Sequence, residues 1–409
     1  MRVRGISLPS GEAVDLCAAG DRWTADPVAD AELVGEGWLL PGLVDAHTHP
    51  GADAPGEPLD ESLLREDLHL HVAAGVTMIR SPGLAGDPPP WFGRDDDVPR
   101  AVHAGPWLAQ HGQFFDGWGR RADPAELPQL AAAQAARTGW AKLIGDWGPE
   151  DAVLPADVLK QVVAEVHAVG GRVAMHSQQA QGGAAAVAAG VDSLEHGMCL
   201  DPDLLPQMAR QGTALTPTLA VITAGLAHAR QRPHSPRKAW YLRGAAVHGQ
   251  LAAAAAEAGV TILAGTDSRP CGRIIAEIRA LADAGVPPEQ AIGAASWAAR
   301  AYLGMAGLSE GAPADAVIYD ADPRRDLSSW QHPARSYCAA LSAIASSDGR
   351  ATDRPAPTGM RRGHVRQGVG YSGRGCTPGS TDTMRHAARP TTWRRSHQQP
   401  PGRSEDLFR

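Results

Sequence analysis

Between residues 39 and 265, short apolar runs alternate with longer Ala-rich stretches whose apolar positions recur at helical spacing. The apolar runs predict strands at Leu39–Ala46, Val76–Arg80, Trp107–Ala109, Trp140–Ile144, Arg172–His176, Ser193–His196, Ala214–Thr218 and Thr261–Gly265. The stretches between them, among them Leu63–Ala74, Leu127–Arg137, Ala156–Val169 and Gly244–Ala258, predict helices. Runs that are apolar throughout suit strands covered on both faces, as parallel strands usually are. Strands alternating with crossover helices build a parallel sheet. Eight such units in about 250 residues is the count of a (β/α)8 barrel. The expected fold is α/β, with a TIM barrel over residues 39–306.

The flanks read differently. Val3–Leu8, Ala13–Ala18 and Glu32–Gly35 predict short strands, so residues 1–38 look like part of a small β domain. Helices at Arg273–Ala284 and Pro288–Leu303 follow the last barrel strand, and Ala314–Asp320 predicts one more strand outside the barrel. Residues 307–327 are read as the return to the small domain. Past that point the periodicity fails. Residues 345–409 are rich in Arg, Ser, Thr, Gly and Pro, too poor in apolar side chains to offset the entropy of ordering. Residues 328–409 are therefore expected to be a disordered tail.

Charge follows the same division. The whole chain carries −7, with 38 Lys+Arg against 45 Asp+Glu. Residues 331–409 hold 13 Arg and 5 Asp+Glu, a balance of +8, which leaves −15 for residues 1–330. An acidic body argues against nucleic acid as a partner. No apolar run approaches the ~20 residues of a membrane helix, and the N-terminus lacks a signal-peptide layout. A cytoplasmic protein acting on a small molecule is expected, with homo-oligomerisation left open. The five cysteines show no CxxC spacing and read as reduced structural thiols.

Chemistry gathers where the predicted strands end. His47 and His49 are two apart after an apolar run, so a strand would aim both imidazoles at one space. His176 ends the fifth strand, His196 the sixth, and Asp267 follows the eighth. Lys142 lies within the fourth, in a chain with only two other lysines, Lys160 and Lys238. In barrels of this kind, active groups sit at the C-terminal ends of strands. Each residue also has an ordinary reading. Asp267 suits a helix N-cap, and His176 or His196 alone suits a hydrogen-bonded core histidine. Glu195, beside His196, suits an ion-pair partner on the other side of its strand. His69, His71, His167, His228 and His248 lie in helical stretches and read as structural or solvent-facing. His111, in the loop after the third strand, is a candidate substrate contact.

The motifs Pro41-Gly42-Leu43-Val44-Asp45-Ala46-His47-Thr48-His49, Lys142, His176, Glu195-His196-Gly197 and Gly265-Thr266-Asp267 together resemble the amidohydrolase superfamily. The likeness is to its binuclear branch with a carboxylated lysine, near the imidazolonepropionase-like and prolidase-like enzymes. It implies a small β-sandwich domain beside the barrel and two divalent ions, zinc being the expected metal. A CO2-derived carbamate on Lys142 would bridge the ions. His47, His49 and Asp267 would complete one metal, and His176 and His196 the other. A metal-bridging hydroxide would attack a C–N bond, with Asp267 as general acid–base and His111 near substrate. A mononuclear deaminase of the same superfamily and a non-enzymatic barrel scaffold are the rival readings. Such a barrel is normally followed by closing strands of the small domain, and none is evident after Leu327. We read this as a departure from the ancestral reading frame near residue 328, with a natural basic extension as the alternative.

Overall fold

The computed structural model describes residues 1–325, residue 330 and the backbone of residues 335–338. Its parallel strands follow the apolar runs. Leu108–Gln110, Trp140–Ile144, Arg172–Ser177, Ser193–His196 and Ala214–Thr216 lie side by side in chain order. Leu215 exchanges backbone hydrogen bonds with Thr261 and Leu263, and the Ala46 N–H donates to Ala264 at 2.8 Å. From there Leu43–Asp45 pairs with Val76–Ser81, which pairs with Arg100–His103. Helices lie between most of these strands, which makes a mixed α/β fold. All five residues of Trp140–Ile144 are buried, as expected of a strand covered on both faces.

The helices bury the faces their spacing dictates. Ala156–Ala168 buries Leu159, Val162, Val163 and Val166, the i, i+3, i+4, i+7 pattern of one apolar stripe. Each such side chain contributes about 1.5–3 kcal/mol when fully removed from water. Asp60 starts the helix Glu61–Ala73 by accepting the Leu63 N–H at 2.8 Å, the role of an N-cap carboxylate.

Three expectations change. Leu39–Ala46 is not one strand. Leu33–Pro41 belongs to a separate sheet, parallel to Arg2–Ser7 and antiparallel to Asp315–Tyr319, whereas Leu43–Asp45 pairs with the parallel set. The chain turns at Gly42, where a Cβ would lie 2.1 Å from Thr77 Oγ1, so only glycine lets it pass. The third parallel position is shared by Arg100–His103 and Leu108–Gln110. Gly105 and Pro106 intervene, and Pro has no N–H for a ladder.

The third change concerns the return segment. Arg335–Cys338 forms one more strand, antiparallel to Asp315–Tyr319, in a six-stranded sheet with the N-terminal strands. Trp330 is buried in the main core and donates from Nε1 to the Pro323 carbonyl. Strand-forming sequence thus continues beyond residue 327. The Arg335–Cys338 segment is short and carries no alternating apolar pattern, which is why it was not legible. The remainder of the expected disordered tail lies outside the described residues. Among the described residues, no helix is long and apolar enough to cross a membrane.

Candidate metal centre

Three of the parallel strands deliver the imidazoles to one place, and the carboxylate follows Thr261–Gly265, which was expected as a strand but makes only an isolated parallel bridge at Ile262. His47 and His49 follow Leu43–Asp45, and their Nε2 atoms are 3.1 Å apart. Asp267 Oδ1 is 3.4 Å from His49 Nε2 and 3.9 Å from His47 Nε2, while its Oδ2 is 4.0 Å from His196 Nε2. His196 stands with its ring centroid 5.0 Å from His47 and 4.6 Å from His176. His47, His49 and Asp267 present ligand atoms all within 4.8 Å of one another, a set that could hold a divalent ion.

The other nitrogen of three of these rings is pinned. His47 Nδ1 meets Glu195 Oε2 at 2.7 Å, His49 Nδ1 meets the Gly83 carbonyl at 2.7 Å, and His196 Nδ1 meets Thr218 Oγ1 at 2.8 Å. An Nδ1–H held by a carboxylate or carbonyl fixes the tautomer that leaves the Nε2 lone pair free, the arrangement of metal-ligating histidines. Glu195 is itself buried and takes charge-assisted hydrogen bonds from Arg80 at 2.9 and 3.0 Å and a bond from Ser193 Oγ at 2.6 Å. Burial alone would raise the Glu195 carboxyl, but Arg80, Lys142 and His47 outweigh it and hold the group well below its ordinary value.

Burial lowers His49, His176 and His196 well below the ordinary imidazole value, so all three are neutral near neutral pH. Lys142 is buried, and desolvation is the main cause that brings its ammonium down to about 8. Its Nζ and His176 Nε2 are buried without any hydrogen-bond partner. Unpaired buried polar groups are rare in folded proteins and call for an explanation.

Backbone strain concentrates here. Among the described residues, five non-glycine residues have positive φ, and four of them, Phe114, His196, Thr218 and Asp267, are in or beside this cluster. Such conformations cost about 1–3 kcal/mol and persist where function or packing demands them. Gly265 lies so close to His47 that a Cβ there would come within 2.4 Å of His47 Cβ. Asp45 braces the same junction by accepting from the Thr266 hydroxyl at 2.6 Å and the His47 N–H at 3.2 Å.

The structure thus brings together His47, His49, His176, His196 and Asp267, with Lys142 near enough to perturb three of the imidazoles. Asp267 is not a helix cap, because the next helix begins at Ile274 with Arg273 as its N-cap. His111 does not join them. Its side chain is 67% exposed and faces Asp123 at 3.9 Å. Sequence reading missed Arg80 and Asp45 as supports. Arg80 lies in a fully buried strand, and a buried arginine signals a buried acid.

A match to the Amidohydrolase family spans residues 96–356. The chain belongs to the amidohydrolase family. This amidohydrolase is 38% identical over 350 residues to an uncharacterized protein of Mycobacterium tuberculosis, covering 81% of this chain and 93% of that protein. It is 31% identical over 196 residues to ochratoxinase of Aspergillus niger, covering 46% of this chain and 40% of the enzyme. The crystal structure of that ochratoxinase superposes with TM-score 0.68 at 22% identity, over 83% of this chain and 94% of the other. A Xaa-Pro dipeptidase with bound methionine superposes with TM-score 0.70 at 20% identity, over 83% and 98% of the two chains. The amidohydrolase is a hydrolase, and its His-His-Asp group suits a divalent metal.

Proposed function

We propose that this chain hydrolyses a C–N bond of the amide class with two divalent ions, zinc first among them. Two of the buried side-chain atoms without a hydrogen-bond partner, Lys142 Nζ and His176 Nε2, carry the reading, since both belong to side chains beside imidazoles already oriented for metal. His47, His49 and Asp267 would hold one ion, His176 and His196 the second, and Lys142 would join them as a carbamate. A lysine ammonium has no lone pair and cannot be a ligand. At about 8 the Lys142 amine is partly neutral near neutral pH. A neutral amine adds CO2, losing one proton, to give an anionic two-oxygen ligand. When bound, the ions acidify water and polarise a carbonyl.

The chain's own residues do the rest. Asp267 Oδ accepts the proton of the attacking water and hands it to the leaving nitrogen. Glu195 and Gly83 hold His47 and His49 in register. We read the parallel strands as a (β/α)8 barrel closed where Ala46 meets Ala264, with the six-stranded sheet as its companion domain. The named relatives, an ochratoxinase and a Xaa-Pro dipeptidase, support an amide or peptide-like substrate. A mononuclear deaminase would have no use for Lys142, whose orphan amine therefore favours the binuclear reading. The test is to strip the purified protein with a chelator and assay dipeptides, N-acyl amino acids and cyclic amides before and after adding Zn or Mn with bicarbonate. Restored cleavage supports the proposal; no cleavage in any loaded state refutes it.

A further inference from the structure

Seven rings close into a circuit around the candidate centre. His47 meets His49 at a centroid distance of 5.0 Å, His49 meets Trp107 at 5.1 Å, and Trp107 meets Phe114 at 5.2 Å. Phe114 meets Trp147 at 5.1 Å, Trp147 meets His176 at 5.3 Å, and His196 closes the circuit at 4.6 and 5.0 Å. Four rings are candidate metal ligands. The other three, Trp107, Phe114 and Trp147, are aromatic faces that run from one candidate ligand, His49, to another, His176. Phe115 packs edge-on against Trp147 at 4.7 Å behind this wall.

The wall is built rather than collapsed. Phe114 holds φ +67, a backbone state unfavourable for a bulky side chain. Arg121 ties the loop by donating to the Trp118 and Phe115 carbonyls. Phe114, Phe115 and Trp147 stay only half-buried, whereas an ordinary core would have covered them. Two guanidinium groups stand over this wall, and Arg121, 5.8 Å from the Phe114 centroid, is engaged by the loop carbonyls. The Arg237 guanidinium is 6.0 Å from the Trp147 centroid and half-buried. It occupies the first turn of the helix Pro236–Glu257, where the helix dipole disfavours positive charge. No ion pair to Arg237 is formed among the described residues. Desolvation lowers its basicity and Asp151 opposes that only in part.

We propose that Phe114, Phe115, Trp147 and Arg237 select the substrate: an amide carrying an aromatic ring and a carboxylate, the class of N-acyl aromatic amino acids. This rests on the hydrolase reading above. The ring stacks on the wall, and the carboxylate pairs with the Arg237 fork, whose planar donors match it. Hydrolysis consumes one water and yields a carboxylic acid and the amino acid.

The test separates binding from turnover in the metal-loaded full chain. Calorimetric titration compares 3-phenylpropanoate, hexanoate and 3-phenylpropan-1-ol, none of which has a bond to cleave. The expected result is at least tenfold tighter binding of 3-phenylpropanoate than of either control. Arg237→Gln should weaken 3-phenylpropanoate about tenfold and leave the alcohol unchanged. Phe115→Leu should narrow the gap to hexanoate, with thermal melts confirming that both variants fold. Turnover of N-acetyl-phenylalanine against N-acetyl-alanine completes the set, with KM for the former raised in Arg237→Gln. This binding pattern without turnover would sustain the selectivity and sink the hydrolase reading. Turnover or binding indifferent to the ring and to Arg237 would overturn the selectivity and leave the hydrolase reading standing.

Discussion

Glu195 Oε2 lies 2.7 Å from His47 Nδ1, with both side chains removed from solvent. This contact links a predicted metal ligand to a buried ion pair, because the same carboxylate is bound by Arg80. The carboxylate orients the imidazole, and the arginine keeps the carboxylate charged.

Glu195→Gln tests that link. The amide would remove the charge facing Arg80 and weaken the hold on His47 Nδ1. Loss of an outer-shell partner typically costs 10–100-fold in metal affinity or activity. Breaking a buried pair from one side costs about 3–5 kcal/mol of stability. Urea unfolding and metal titration of the same variant should show both losses. Wild-type metal affinity in a folded Glu195→Gln protein would remove the positioning role.

Asp267→Asn should fold and lose turnover by orders of magnitude, since no carboxylate remains to move the proton. Its side chain caps no helix, so thermal stability of the metal-free variant should stay within about 1 kcal/mol of wild type. Near-normal turnover would assign the proton transfer elsewhere.

Gly265→Ala should displace His47, because the added Cβ would sit 2.4 Å from His47 Cβ. Overpacking of this kind costs typically about 1–3 kcal/mol. Metal affinity should fall along with stability, whereas Gly259→Ala, with open space around it and strain only from its φ of +82, should affect stability alone. Equal metal affinity in the two variants would count against tight positioning of His47.

Lys142 gives a pH signature in the metal-free protein. Its folded value is about 8 and its ordinary value 10.5. Between these, the unfolded chain binds a proton that the folded chain does not, so stability rises with pH across that window. Below about 8 both states are charged and the burial penalty is fully present. Lys142→Met should be more stable than wild type below that point, and the rise should vanish. A parallel pH dependence in both proteins would show that Lys142 is not the group responsible.

Much of this was legible in the chain because the candidate ligand histidines end or follow apolar runs. Trp140–Ile144 and Ser193–His196 were expected where they occur, the first because it is apolar but for Lys142 and the second as the short segment that ends in His196. The division at Gly42 was not legible. Leu39, Leu40, Leu43 and Val44 are all buried, though in different cores, and an apolar run does not say which core covers it. The Arg80–Glu195 pair joins residues 115 positions apart, and only the fold brings them together. The ring circuit escaped notice for the same reason. Its aromatic members come from loops, where no periodicity marks which way a side chain faces.

In the proposed hydrolytic site, Lys142 would join two divalent ions. Metal content of the bicarbonate-grown protein, measured by inductively coupled plasma mass spectrometry beside Lys142→Ala, tests it most directly. The account predicts about two ions per chain in the wild type, and in the variant the loss of at least one ion together with most turnover. Two ions and full turnover in Lys142→Ala would contradict it.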